Sequence, residues 1–145
     1  MKIEEGHILN FVPPQLDGDS FNNKKRYMLV LECDFESNTL RMINVSSIKG
    51  KEHKLLYDSN LEIKNYFPLP VPTFAKIDTI YMIDNFENLQ NFISFNGLKL
   101  DAGELENIKL ERYKYIRRAK QTNVINYTKQ NFDESNLQIQ NTNKI

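Results

Sequence analysis

The segment Tyr27-Met-Leu-Val-Leu-Glu-Cys33 constrains the fold more than any other part of the sequence. It is a nearly unbroken apolar run, entered through Lys24-Lys25-Arg26. A continuous run of this length bounded by charges reads as a central strand of a sheet. The next residues, Asp34-Phe-Glu-Ser-Asn38, carry turn chemistry, and the segment 39–47 (TLRMINVSS) returns as the hairpin partner. A chain of 145 residues is one domain long. Its sheet is therefore expected to be built on a hairpin of 24–33 and 39–47.

Other strand signals surround this pair. Residues 6–12 (GHILNFV) alternate loosely and stop at Pro13-Pro14, which cannot continue a paired strand. A polar loop from Gln15 to Asn23 follows, with Gly18 between Asp17 and Asp19. Shorter strands are expected at 53–57 and 61–67, ahead of Pro68, Pro70 and Pro72, and a stronger one at 75–84. Past Gly97 the period changes. Asp101 and Glu104 have capping-box spacing, and Leu105, Ile108, Tyr115, Ile116 and Ala119 recur at helical spacing, which predicts one amphipathic helix over 101–119. From Lys120 to Ile145 the chain is rich in Asn, Gln and Thr and poor in apolar groups. That composition describes a tail ordered only against something else, or not at all. The expected fold is mainly β with a C-terminal helix: a small closed barrel over 1–119 with helical cover.

The charge balance narrows the functional classes. The 19 basic and 19 acidic residues cancel, so a phosphate-binding surface has to come from local clustering. Cys33 is the one cysteine, and a lone thiol closes no internal disulfide, which points to a reducing cytoplasm. The first residues lack the apolar core of a signal peptide, and no stretch reaches the roughly 18 continuous apolar residues of a membrane span. His7 and His53 have no ligand at metal-binding spacing, and phosphate-binding glycine loops and the nucleophile elbow are absent. No metal and no cofactor are expected.

What remains is a set of basic and hydroxyl groups at strand ends. Lys24, Lys25 and Arg26 precede the central strand, as a phosphate clamp or as solubilising gatekeeper charges. Ser46 and Ser47, with Lys49 and Lys51 just beyond, mark where the 39–47 strand leaves the sheet, as phosphate ligands or as turn formers. A hairpin of the two strands would bring Arg26 and Ser46 to the same open end. Lys76 and Asp78 fall on one strand face by alternation, about 7 Å apart, as a salt bridge or as an acid beside a base for proton transfer.

The succession of these elements resembles the MazF/PemK-like toxins of bacterial toxin–antitoxin systems. A glycine-led first strand (Gly6-His-Ile-Leu-Asn-Phe11) precedes a proline and a polar loop. A basic-Arg-hydrophobic strand follows (Lys25-Arg26-Tyr-Met-Leu-Val-Leu31), then a hydroxyl pair after a strand (Asn44-Val-Ser-Ser47), then Asp78-Thr-Ile-Tyr-Met-Ile-Asp84 and a helix. The resemblance spans about residues 6–119. It implies an SH3-like barrel that dimerises and cuts single-stranded RNA without metal, by ribose 2′-hydroxyl attack on the adjacent phosphate. Carried over by position, Arg26 stabilises the pentavalent phosphate, Ser46 assists with Ser47 beside it, and Lys76 and Asp78 stand where some members have a catalytic Arg and Asp. Lys24, Lys25, Lys49 and Lys51 would hold RNA.

The partners implied are a single-stranded RNA substrate, a cognate antitoxin and a second copy of the chain. Ser46-Ser47-Ile-Lys49 also resembles the Ser/Thr-Ser-x-Lys segment of the ToxN/AbiQ-like branch, whose antitoxin is RNA rather than protein, and there Lys49 joins the site. Two other functions compete: a non-catalytic SH3-like barrel binding a protein through Tyr66–Pro72, and a gyrase-directed toxin. Arg112, Lys114, Arg117, Arg118 and Lys120 read as a solvated helix face.

Overall fold

In the computed structural model of the chain, residues 2–13, 24–119 and 122–143 are described, with side chains as far as Asn136. The expected loop Gln15 to Asn23 and Lys120 of the basic run lie outside the described residues. The strands are β1 (Ile8–Phe11), β2 (Arg26–Asp34), β3 (Thr39–Ser47), β4 (Asn60–Ile63), β5 (Thr73–Lys76), β6 (Thr79–Asp84) and β7 (Asn123–Tyr127), and the helices are α1 (Ala102–Arg118) and α2 (Lys129–Asn143).

β2 and β3 form the expected antiparallel hairpin, from Tyr27↔Val45 to Asp34↔Thr39, with a register shift between Val30 and Glu32. The apolar run is continuous because the hairpin is covered on both faces. Successive side chains of a strand point to opposite sides. Leu29, Leu31, Ile43 and Val45 pack with Ile8, Ile80, Leu105 and Ile108 on one side. Met28, Val30, Leu40 and Met42 pack with Leu9, Phe11, Ile83, Tyr127 and Phe132 on the other.

β3 is the axis of the sheet. Beside β2, its first half pairs β6 (Thr39↔Asp84 to Met42↔Tyr81), and its last residues pair β5 (Val45↔Ala75 to Ser47↔Thr73). The expected strand 75–84 is therefore broken by a turn at Ile77-Asp78, because its two halves meet β3 in different registers. Past the break the sheet forks, with β4 added to β5 and β7 added to β6. The order β1-β2-β3-β5-β4, with β6 and β7 branching from β3, leaves an open sheet among the described residues rather than the closed barrel expected. Among the described residues all strand pairings are antiparallel except β6–β7. That parallel pair needs a long crossover, which the segment containing α1 provides.

Local chemistry accounts for the other elements. The Asp101 carboxylate accepts the Glu104 N–H at 3.1 Å and starts α1, while the Glu104 carboxylate accepts from the Lys64 N–H at 3.0 Å instead of closing the capping box. Leu105 and Ile108 of α1 are buried, and Leu110 and Tyr113 lie exposed on its outer side. Arg112 is half-buried and feels the Glu32 carboxylate, so it is not part of the expected solvated face. Gly6 adopts φ +91°, and a Cβ there would lie 3.3 Å from Lys99 Cβ, so both backbone angle and space require glycine.

Two short strands are corrected. Residues 53–57 form no strand: Glu52–Leu56 is a 3-10 helix whose Leu56 is exposed, since no strand edge is there to receive it. The expected 61–67 strand shortens to Asn60–Ile63, where pairing with β5 ends at Thr73.

The expected tail is also corrected over 123–136. It contributes β7 and the start of α2, so the folded unit does not end at 119. Apolar residues are few in this stretch, but two of them are large and buried. Phe132 sits 5.1 Å from the Phe11 ring, 5.0 Å from Phe86 and 4.9 Å from Phe92. Asn136 brackets the backbone of Val12: its Oδ1 accepts the Val12 N–H at 2.9 Å, and its Nδ2 donates to Val12 O at 3.3 Å. The Tyr127 hydroxyl donates to the same carbonyl at 2.6 Å.

Phe132→Ala should cost about 3 kcal/mol or more, the usual range for a buried aromatic, read by urea denaturation; an unchanged midpoint would show that α2 is not part of the core. Burial also pushes the Tyr127 hydroxyl up to about 12. A phenol raised in the folded state contributes stability that is full below its unfolded pKa near 10 and is lost as pH climbs from there to about 12. Tyr127→Phe should remove that alkaline loss, of order 1 kcal/mol per pH unit, when stabilities at pH 9 and about 11.5 are compared with the parent.

Candidate active site

The hairpin register sets the site. One step beyond Tyr27↔Val45, Arg26 at the start of β2 stands opposite Ser46 near the end of β3. On the other flank Ser46 pairs Phe74, and Lys76, two residues on, shares its face and pairs Asn60. Arg26, Ser46 and Lys76 therefore lie on one face at the frayed ends of three adjacent strands, each half-buried. Ser47 alternates to the opposite face, where it pairs Thr73, so only one hydroxyl of the serine pair joins Arg26.

The residues after β3 fold back onto this face. Ile48 to Lys51 is a turn closed by the Lys51 N–H donating to Ile48 O at 2.7 Å. Gly50 is its third residue with φ +78°, as a type II turn requires. Ile48 is buried and pins the turn to the core. The turn returns the Lys51 side chain to β3, where its Nζ donates to Ser46 Oγ at 3.0 Å. Lys49 stays exposed at the turn's corner and Lys25 is exposed ahead of β2; neither is among the charges acting on Lys51 or Lys76.

The result is a concentrated positive field. Burial holds the Lys51 ammonium below its ordinary pKa, and Lys54, Arg26 and Lys24 lower it further. Lys76 is lowered in the same way, first by burial and then by Lys54, Arg26 and Lys51, with Asp78 the weakest opposing influence. The expected Lys76–Asp78 pair is not a same-strand pair, because the turn at Ile77-Asp78 separates them; the Asp78 carboxylate accepts from the Thr79 hydroxyl at 3.3 Å. Lys54 belongs to the cluster and was hidden by reading 53–57 as a strand. Its signal is the spacing Lys51-x-x-Lys54, which a helical turn brings to one side. Asn44, buried on the same face, donates through Nδ2 to Tyr27 O at 3.1 Å and holds the hairpin end together.

Chemically, this face can hold a polyanion. It offers a guanidinium, several ammonium groups and a serine hydroxyl at an open strand end, and fixed cations of this kind favour negative charge that develops during a reaction. Among the described residues no group of His, Cys, Asp or Glu could hold a metal ion. His7 is buried away from this face, with Nδ1 accepting the Glu4 N–H at 2.8 Å and its pKa lowered chiefly by burial, so it is a neutral core residue. Among the described residues no helix is long and apolar enough to cross a membrane.

Crowding cations has a stability cost that one substitution can expose. Lys76→Met keeps the length of the side chain and removes a charge held against burial and three other cations. It should raise the unfolding midpoint by an amount equivalent to about 1 kcal/mol, less in high salt, where the repulsion is already screened. A lower midpoint in low salt would show that Lys76 is held by compensating contacts. In comparison with known proteins, the chain matches no protein-family model and no curated protein sequence.

Proposed function

We propose that the chain is a metal-independent endoribonuclease of the MazF/PemK-like toxin kind, cutting single-stranded RNA on the face of Arg26, Ser46 and Lys76. The observation that carries this reading is the meeting of these three side chains on one face, where burial first and neighbouring cations second lower Lys51 and Lys76. Such a face suits a phosphodiester, whose charge increases as the ribose 2′-oxygen adds to phosphorus. In this reading Arg26 binds the nonbridging oxygens bidentately. Lys76, whose depressed pKa eases access to the neutral amine, takes the 2′-hydroxyl proton. The 2′-oxygen attacks, the bond to the 5′-oxygen breaks, and a cyclic phosphate and a 5′-hydroxyl remain.

The forked sheet around β3 is, in the same proposal, an opened variant of the SH3-like scaffold of that family. A second copy of the chain and a cognate antitoxin complete the system, and the cytoplasm is its compartment. Lys49, exposed and outside the cluster, favours the MazF/PemK-like arrangement over the ToxN/AbiQ-like one, and with it a protein antitoxin.

Purified protein incubated with a long single-stranded RNA in EDTA should yield fragments with 2′,3′-cyclic phosphate and 5′-hydroxyl ends. Arg26→Ala should slow cutting by about 10²–10³-fold, the size of effect seen when one transition-state donor is removed. Intact RNA at enzyme excess, or undiminished cutting by Arg26→Ala, sinks the proposal.

A further inference from the structure

We infer that Lys51 and Ser46 form a proton relay that protonates the leaving 5′-oxygen of a cleaved RNA, with Ser46 touching the substrate and Lys51 acting through it. The inference rests on the nuclease reading above and adds to it the identity of the acid.

The geometry is that of a directed donor chain. A lysine ammonium only donates, so at 3.0 Å from Lys51 Nζ the Ser46 oxygen is the acceptor. The hydroxyl's own hydrogen is then left to be donated elsewhere. Ser46 is half-buried on the face it shares with Arg26 and Lys76, at the strand end where a phosphodiester would lie. Accepting a charge-assisted hydrogen bond polarises the hydroxyl and makes it a better donor. Lys51 is held in place by the turn Ile48–Lys51 with its left-handed Gly50, and that turn by buried Ile48. Ser47 is on the other face and Lys49 is exposed, so neither can replace this pair. Burial, and after it the neighbouring cations, also make the Lys51 proton easier to release than that of a solvated lysine.

The step balances. The bond from the 2′-oxygen to phosphorus forms and the bond from phosphorus to the 5′-oxygen breaks, its electron pair staying on that oxygen. The 5′-oxygen takes the Ser46 proton, and Ser46 takes one from the Lys51 ammonium. The 2′-hydroxyl proton goes to the Lys76 amine. Solvent then reprotonates Lys51 and deprotonates Lys76, and no oxidant or metal is consumed.

A sulfur substitution separates this role from binding or support. The substrates are a short single-stranded RNA that the parent cuts at one mapped bond, and the same RNA with sulfur replacing the bridging 5′-oxygen there. A thiolate leaves without a proton. Lys51→Met and Ser46→Ala should slow cutting of the oxygen RNA by about 10²–10⁴-fold, the worth of a positioned acid. Both should cut the sulfur RNA within about tenfold of the parent rate. Lys51→Arg, which keeps the charge but gives up its proton far less readily, should resemble Lys51→Met on the oxygen RNA. Equal losses on both RNAs in all three variants would overturn the relay, as would full activity of Lys51→Arg on the oxygen RNA. A parent protein that leaves both RNAs intact overturns the nuclease reading itself, and the relay with it.

Discussion

Two-sided burial of the β2–β3 hairpin is the constraint from which the rest of the architecture follows. A hairpin with apolar residues on both faces is not stable until each face is covered, and the chain supplies a separate cover for each. Leu105 and Ile108 of α1 close one face. Tyr127 and Phe132 close the other, with Leu89 from the connection between β6 and α1. Each deeply buried aliphatic side chain contributes roughly 1.5–3 kcal/mol of transfer free energy, so neither cover is optional. The polar composition of the last segment conceals this, because two aromatic rings and one asparagine, well placed, do what many weaker apolar residues would otherwise have to do.

The same burial fixes where chemistry can occur. The hairpin is sealed over its apolar stretch and opens toward its two ends, at Glu32 and Arg41 on the turn side and at Arg26 and Ser46 on the other. At the end that holds Arg26 and Ser46, β3 exchanges one neighbour for another, and the turn at Ile77-Asp78 lets the sheet fork. Side chains there can lie half-buried while still reaching solvent. That environment lowers an ammonium pKa, and it holds cations close enough to repel one another. A core optimised for stability alone would place acids among them. The charges that act on Lys51 are instead all positive, an imbalance that, in the proposed function, an anion would relieve.

How much of this was legible in the sequence depends on the range of each interaction. The hairpin, α1 and its Asp101 cap were legible, since each rests on contacts within a few residues or on a strong period. So was the convergence of Arg26 and the serine pair at one end of the hairpin, but not which serine faces it: the register at the Asp34–Asn38 turn, carried unbroken, would set Arg26 opposite Ser47, and the shift between Val30 and Glu32 moves it to Ser46. Features that depend on a third element were not. The break between Lys76 and Asp78 comes from the two registers in which β3 is met, and β3's own sequence does not announce it. The 3-10 helix over Glu52–Leu56 was read as a strand because Leu55, Leu56 and Tyr57 have strand-like composition while lacking a strand to pair with. The burial of Phe132 depends on rings that lie from 40 residues (Phe92) to 121 residues (Phe11) away in the chain.

The distinction between Lys49 and Lys51 shows how a backbone angle selects among equivalent side chains. Both lysines follow the serine pair, both are positively charged, and spacing alone favours Lys49, which is closer to Ser46. Gly50 reverses that preference. At φ +78° it turns the chain so that the third residue of the turn is tolerated only as glycine, and the fourth returns toward the strand it left. No neighbour lies within 4 Å of where a Gly50 Cβ would be, so the requirement comes from the angle and not from crowding. A lysine two positions farther along is thereby the one bonded to Ser46, and the nearer one is left at the corner. Selection of this kind makes the site a property of the turn as much as of its charged residues, and it explains why a motif of basic and hydroxyl residues in order is a weaker guide to chemistry than the glycine set among them.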